Sequence, residues 1–480
     1  MCTMAYTVAQ NTSFMTVASI LQKAVSFVYF TVIARLIGVE NTGVYFFAIA
    51  FTTIFAVFAD FGFNSVLTRE SAKYPEQTER YLSTVLAAKL LFSLVSYALL
   101  ALSVNVLHYS DLTRHLIYLA GITMVLDNFH TVFYGVFRGR RNLVYEGIGI
   151  VGAQFLTLVV GSLALYNHWS LIWLILAYTI ASALNVIYTV CVARSRFHLR
   201  WSFSFDKQIF KMFFIFAVPL ALAGLIGRFY AYSDSLLMSK MLTAQELGWW
   251  SVPYKIAFAF QFVPIALSAS VYPAMSAFAE RDREKIGELF TKSWRYLFTI
   301  VFPLSFGLIA LARPALVFLY GANYLPAAPA LQILMASLIF GFLAFVTGAL
   351  LNATNHQKTQ TGLMTLVLAV NIVLNLILLP RLGIYGAAVA ALASNFVLCA
   401  GGLIFSNYFV KLDFTLLFKY FLQTFIPAAV MGILVYYFSR HLHFIFTIPI
   451  GVIIYALLLF ISGGMSLTLF DTIRQKVWRH

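Results

Sequence analysis

Ala34-Arg35-Leu36-Ile37-Gly38-Val39-Glu40-Asn41-Thr42-Gly43-Val44-Tyr45 is a short polar step between two long apolar runs. The run before it begins near Ser13, and the run after it continues to Phe63. A helix rises 1.5 Å per residue, so about 20 apolar residues cross roughly 30 Å of hydrocarbon. The polar step therefore reads as a turn between two membrane crossings.

The rest of the chain repeats this pattern. Of its 480 residues 61% are hydrophobic and only 10% are charged, against about 25% charged in an ordinary soluble domain. So few charges cannot cover a soluble enzyme. Windows long and apolar enough to span follow at 13–36, 43–63, 84–106, 115–137, 147–166, 170–192, 210–232, 248–272, 294–313, 328–351, 360–379, 384–407, 418–438 and 444–463. The expectation is an all-α polytopic membrane protein of fourteen helices. The first window carries Lys23 and lacks a small-residue cleavage site, so it reads as a span and not as a cleaved signal. Weak ten-residue alternation, the mark of a β-barrel, is not seen. Cys2, Cys191 and Cys399 lie too far apart for a disulfide framework or a metal knot.

The net charge of +15 needs no nucleic acid. With the N-terminus inside, 22 lysines and arginines fall in cytoplasmic loops and six in outside loops or span ends. That bias is the positive-inside rule, and it places both termini in the cytoplasm of a plasma-membrane protein.

The opening stretch has an echo 205 residues on, Ser239-Lys240-Met241-Leu242-Thr243-Ala244-Gln245-Glu246-Leu247-Gly248-Trp249-Trp250. Arg35 falls on Lys240, Gly43 on Gly248 and Tyr45 on Trp250. A looser echo pairs Gly135–Arg140 with Gly348–Ala353. Two units of six spans share one orientation, which predicts two six-helix lobes related by a pseudo-two-fold along the membrane normal. The expected domains are 1–205, 206–410, and 411–480 for two extra C-terminal helices with a tail.

Charge inside a span is costly and normally faces a cavity or a partner. Lys23 lies in the middle third of span 1, Arg228 in a glycine-flanked stretch of span 7, and Lys255 follows Pro253 in span 8, where the proline is expected to loosen the first turns. With Arg35 at the end of span 1, these bases are the candidate ligands for an anionic cargo such as a diphosphate. Asp127 and Asn128 read as a hydrogen-bonded lock between helices, a counter-charge for a lysine, or a coupling site. Asp60, just before Gly62, reads as fixing a helix end. Asn371 and Asn375, one turn apart in span 11, read as glue between helices or as sugar contacts. No phosphate-binding Gly-x-x-x-x-Gly-Lys-Ser/Thr loop and no His-Glu-x-x-His site occurs in the sequence, so neither a nucleotide motor nor a metal is expected.

Ala34–Gly38 with Gly43, Phe58-Ala59-Asp60-Phe61-Gly62-Phe63, Thr68-Arg69-Glu70, Arg138-Gly139-Arg140 and Leu382-Gly383-Ile384-Tyr385-Gly386-Ala387-Ala388 together resemble the polysaccharide transporters. These are the Wzx-type oligosaccharide flippases of the multidrug/oligosaccharidyl-lipid/polysaccharide superfamily. The resemblance implies a flippase, not an enzyme, with no cofactor. It moves undecaprenyl-diphosphate-linked oligosaccharide to the outer leaflet by alternating access, for O-antigen, capsule or exopolysaccharide. It also implies a cationic cavity lined from helices 1, 7 and 8, where Lys23, Arg228 and Lys255 stand. A proton or sodium ion is the coupling ion, and a polymerase and glycosyltransferases are the working partners of a monomer. Drug and cation exporters and lipid II flippases share this architecture and are the alternatives.

Overall fold

The computed structural model describes residues 8–279 and 281–464. Cys2 and the tail bases Arg474, Lys476 and Arg479 lie outside them. The described residues are helices joined by short turns: α1 (Val8–Ile37), α2 (Val39–Asp60), α3 (Phe63–Lys73), α4 (Thr78–Val106), α5 (Asp111–Gly139), α6 (Val144–Tyr166), α7 (Ile172–Ser195), α8 (Lys207–Met241), α9 (Ala244–Ala259), α10 (Phe262–Phe278), α11 (Arg283–Tyr320), α12 (Ala328–Ala353), α13 (Gln357–Leu382), α14 (Ile384–Phe409), α15 (Phe414–Phe438) and α16 (Phe444–Ile461). Fourteen stretches are long and apolar enough to cross a membrane, as the windows predict. Helices are the natural outcome, because a chain in hydrocarbon must satisfy every backbone amide and carbonyl within itself.

Acids outside the spans start several of these helices. Asp206 accepts from the amides of Gln208 and Ile209 ahead of α8, Asp282 from that of Lys285 ahead of α11, and Asp413 from that of Leu416 ahead of α15. Each carboxylate satisfies amides that have no partner within the helix.

The internal echo is visible in helix ends. α2 and α9 start 205 residues apart, at Val39 and Ala244, and α3 and α10 end 205 apart, at Lys73 and Phe278. Each of these two segments breaks, the first just after Asp60, which the sequence reads as fixing a helix end, and the second inside the window 248–272, which does not anticipate it. The first breaks where Phe61 (φ 47°) and Gly62 (φ 76°) adopt left-handed conformations, a region glycine enters without steric cost. The second breaks at Phe260 and Gln261. α9 runs through Pro253, so the interruption lies seven residues beyond the expected loosening.

Contacts divide the chain into two compact units, Met1–Gly248 and Trp249–His480. In the first, α1 packs on α6, α6 on α7, α7 on α5, and α5 on α2, α3 and α4. α8 packs on α2, which groups it with the six preceding spans. The core includes Phe63, Leu67, Leu82, Val132, Phe137 and Phe213. The carboxamide of Asn11 on α1 brackets the α5–α6 turn, donating to the Arg141 carbonyl (2.7 Å) and accepting from the Leu143 amide (3.1 Å).

In the second unit α12 is the most enclosed helix, packed against α10, α11 and α14. α15 docks on α11 through interleaved phenylalanines: Phe302 meets Phe421 at 5.4 Å and Phe306 meets Phe425 at 5.3 Å between ring centroids. α16 then packs on α15.

Candidate functional site

The first unit holds a buried ionic cluster at the break between α2 and α3. Lys89 on α4 is fully buried, and its Nζ donates to Asp60 Oδ1 (2.6 Å) and to Asn128 Oδ1 on α5 (2.8 Å). Asp60 is the last residue of α2, with 38% of its side chain exposed. The Asn128 amide completes the network, donating to the Ala59 carbonyl (2.8 Å) and to Ser93 Oγ (2.7 Å). Burial of a lysine is tolerated only when its charge is paired and its protons are taken up. Here the partners also take up a carbonyl at the helix break.

Asp127, next to Asn128, points elsewhere. It accepts from the Ser182 hydroxyl on α7, and its Oδ1 lies 3.7 Å from His130 Nδ1. The lysine counter-charge is thus Asp60, and the bridging amide is Asn128. Further pairs join α5 to α7 on both sides of Asp127: Thr123 with Thr179 (2.8 Å) and Tyr134 with Asn185 Oδ1 (2.8 Å). Residues 123, 127, 130 and 134 lie on one stripe of α5, since turns bring i, i+4, i+7 and i+11 into line.

At the end of the same helix, Arg138 grips the buried Glu146 of α6 through both branches of its guanidinium; its Nε lies 2.7 Å from Oε2. The fork matches a carboxylate in a way a lysine cannot. In the neighbouring turn, burial holds the Arg140 guanidinium below its usual pKa.

The expected bases lie on α1, α8 and α9. Lys23 is half-buried on α1, Arg35 exposed at its last turn, Arg228 exposed on α8, and Lys255 half-buried on α9. Lipid exposure of an arginine inside a span costs at least about 2.5 kcal/mol, so such a residue is expected to face a cavity or a partner. In the second unit, Asn371 and Asn375 are buried on α13, and the Asn375 amide donates back to the Asn371 carbonyl (2.9 Å). Asn395 on α14 donates to Ser337 Oγ on α12 at 2.8 Å, an interhelical amide bond. Among the described residues no group of three His, Cys, Asp or Glu side chains is placed to hold a metal.

Lys89 is the residue that sequence reasoning passes over. A lysine placed six residues inside an apolar window looks like a span edge. The available signal is the lone acid Asp60 in the neighbouring crossing, an ionic partner on a different helix.

Several known proteins resemble this chain. The model of a lipid II flippase family, MurJ, matches residues 255–457. A probable low-salt glycan biosynthesis flippase, Agl15, of Haloferax volcanii is 23% identical over 79% of each chain. A capsular polysaccharide biosynthesis protein, CapF, of Staphylococcus aureus is 24% identical over 84% of this chain and 99% of its own. Among solved structures, lipid II flippase MurJ in an inward closed conformation superposes with a TM-score of 0.75 at 17% identity, covering 92% of this chain and 97% of that one. An inward-facing multidrug resistance transporter of the MATE family superposes at 0.68 and 15% identity, over 81% and 94%. These superpositions establish a shared fold. The family model described as polysaccharide biosynthesis protein matches residues 8–279, more than half of the sequence, and the chain belongs to that family.

Proposed function

We propose that this protein is a flippase that moves a polyprenyl-diphosphate-linked oligosaccharide, on an undecaprenyl carrier, across the plasma membrane for surface polysaccharide synthesis. The observation that carries this reading is family membership over residues 8–279, together with relatives named as glycan flippases and capsular polysaccharide proteins. Both termini lie in the cytoplasm, and the protein works as a monomer by alternating access between lobes formed by residues 1–205 and 206–410. Residues 411–480 are an addition to them. Lys23, Arg35, Arg228 and Lys255 bind the diphosphate, whose oxygens suit charge-assisted hydrogen bonds. A proton or sodium gradient drives the cycle, and the product passes to a polymerase after glycosyltransferases have built the cargo.

Reconstituted proteoliposomes test the proposal. Wild-type protein should carry fluorescent lipid-linked oligosaccharide across the bilayer and leave a cationic drug behind. Arg228→Ala or Lys255→Ala should abolish flipping while inserting normally. Undiminished flipping in both variants would remove the bases from the mechanism, and drug transport in place of sugar transport would favour the exporter alternative.

A further inference from the structure

Asp127 lies about 24 Å along α5 from its start and about 18 Å from its end, deep within the span. Half of its side chain (51%) is uncovered by protein. An ionised carboxylate at that depth is too costly to face hydrocarbon, so its open side faces water. On its covered side stand the Ser182 hydroxyl, which donates to it, and the imidazole of His130. His130 is buried, and its Nδ1, 3.7 Å from the carboxylate, has no hydrogen-bond partner. The ring is held edge-on to Tyr134, at 5.1 Å and 67°. Tyr134 is in turn fixed by Asn185.

We propose that Asp127, Ser182 and His130 form a proton-binding site that links protonation to the packing of α5 against α7. The coupling to transport rests on the flippase function proposed above; proton binding itself does not.

The chemistry of the three groups selects a proton over a metal cation. Hard cations gather a shell of oxygen ligands, whereas this position offers one carboxylate, one hydroxyl and an imidazole nitrogen. A proton entering from water adds to the Asp127 carboxylate. The new O–H points to Nδ1 of His130, and the proton stays on the carboxyl. The pair titrates as one unit.

Fixed charges nearby are already matched. Against α5, α4 brings Lys89, which is paired with Asp60 of α2, and α6 brings Glu146, which is paired with Arg138. α3 brings Glu70, which is paired with Arg69. The tyrosines are Tyr45 on α2, Tyr81 and Tyr97 on α4, Tyr145 and Tyr166 on α6, and Tyr178 and Tyr188 on α7; Tyr188 is tied to the Tyr145 carbonyl at 3.1 Å. Among the described residues no lysine or arginine pairs with Asp127. Ser182 therefore supplies a charge-assisted bond across α5 and α7 only while the carboxylate is ionised. Such a bond is roughly twice as strong as its neutral counterpart, so protonation loosens the seam at its middle and leaves the Thr123–Thr179 and Tyr134–Asn185 pairs in place.

Infrared difference spectroscopy of the purified full-length protein reads the site without any cargo. Wild-type protein should show a protonated-carboxyl band that grows as pH falls and disappears in Asp127→Asn. In His130→Gln, which keeps the volume but lacks the basic nitrogen, the midpoint should move to lower pH by about one unit, a tenfold change in proton concentration. No band lost in Asp127→Asn, an unmoved midpoint in His130→Gln, or displacement of the band by sodium at fixed pH would overturn the proton assignment. Proteoliposomes under an imposed pH gradient then read the coupling. Flipping should follow the gradient in wild type and ignore it in Asp127→Asn, and wild-type flipping indifferent to the gradient would overturn the coupling. If the band titrates but no lipid-linked sugar moves under any gradient, the flippase function fails and the proton site stands.

Discussion

Gly43 and Gly248 occupy reciprocal places at one backbone crossing within the first unit. A side chain on Gly43 would overlap the Ala244 carbonyl and stand 2.7 Å from the Gly248 amide, and one on Gly248 would overlap the Val39 carbonyl. The two glycines, like Val39 and Ala244, are 205 residues apart, the spacing of the internal echo. The starts of α2 and α9 thus approach until their backbones touch. Only residues without a Cβ permit this, as at close helix crossings in membranes generally.

Alanine at either position should therefore force the helices apart. Gly43→Ala and Gly248→Ala are expected to lower stability by about 1–3 kcal/mol, the usual cost of overpacking, read as unfolding in detergent. Gly227→Ala, where no atom lies within 4 Å of the added carbon, should be neutral or slightly stabilising through helix propensity.

The Lys89 cluster predicts a non-additive pair. Lys89→Met leaves Asp60 and Asn128 without their donor and should lower stability by about 3 kcal/mol, since removing one member strands the other. Lys89→Met combined with Asp60→Asn should recover part of that loss. A double-mutant cycle by denaturant titration measures it, and strictly additive losses would show that the two residues do not act together.

Glu146 is sealed from solvent, so its partner cannot be removed cheaply. Arg138→Ala is expected to lower stability by about 3 kcal/mol and to speed hydrogen exchange in residues 138–147. Arg138→Lys should fall between this variant and wild type, because a lysine keeps the charge and loses the fork. Exchange mass spectrometry of that segment is the check.

Asp206 sets a pH dependence at the start of α8. The Ile209 amide foremost, with Arg80 and the Gln208 amide, holds its carboxyl below the usual carboxylate range. A depressed folded pKa adds stability that is present above the unfolded value, near 3.9, and is lost as pH falls through the folded one. Exchange at residues 207–211 should accelerate below about pH 4. Asp206→Ala should show fast exchange already at neutral pH, and Asp206→Asn should retain the cap but lose the acid sensitivity.

The crossings are legible because hydrocarbon imposes one rule on every segment, and length with apolarity expresses it locally. The echo between Ala34–Tyr45 and Ser239–Trp250 is legible for a similar reason: helix starts carry their own polar residues. Lys89 is not, because its partners lie 29 and 39 residues away on other helices and no periodicity joins them. The break at Phe61–Gly62 is legible through Asp60, a lone acid before a glycine, whereas the one at Phe260–Gln261 is hidden inside a run apolar enough to be continuous. Pro253 misleads in the opposite sense, since α9 accommodates it and gives way later. Asp127 is conspicuous as a lone acid, yet only the structure shows that Ser182 and His130 surround it.

The bracket that Asn11 makes around the α5–α6 turn has a consequence for how the protein is made. α1 finds its main neighbour in α6, and 106 residues separate the end of one from the start of the other. At about 5–20 residues per second of synthesis, α1 waits roughly 5–20 s before that surface exists. Until then its half-buried lysine and its asparagine have no permanent lodging. The first span must stand by, in lipid or beside the insertion machinery, until the sixth helix of the chain emerges to receive it.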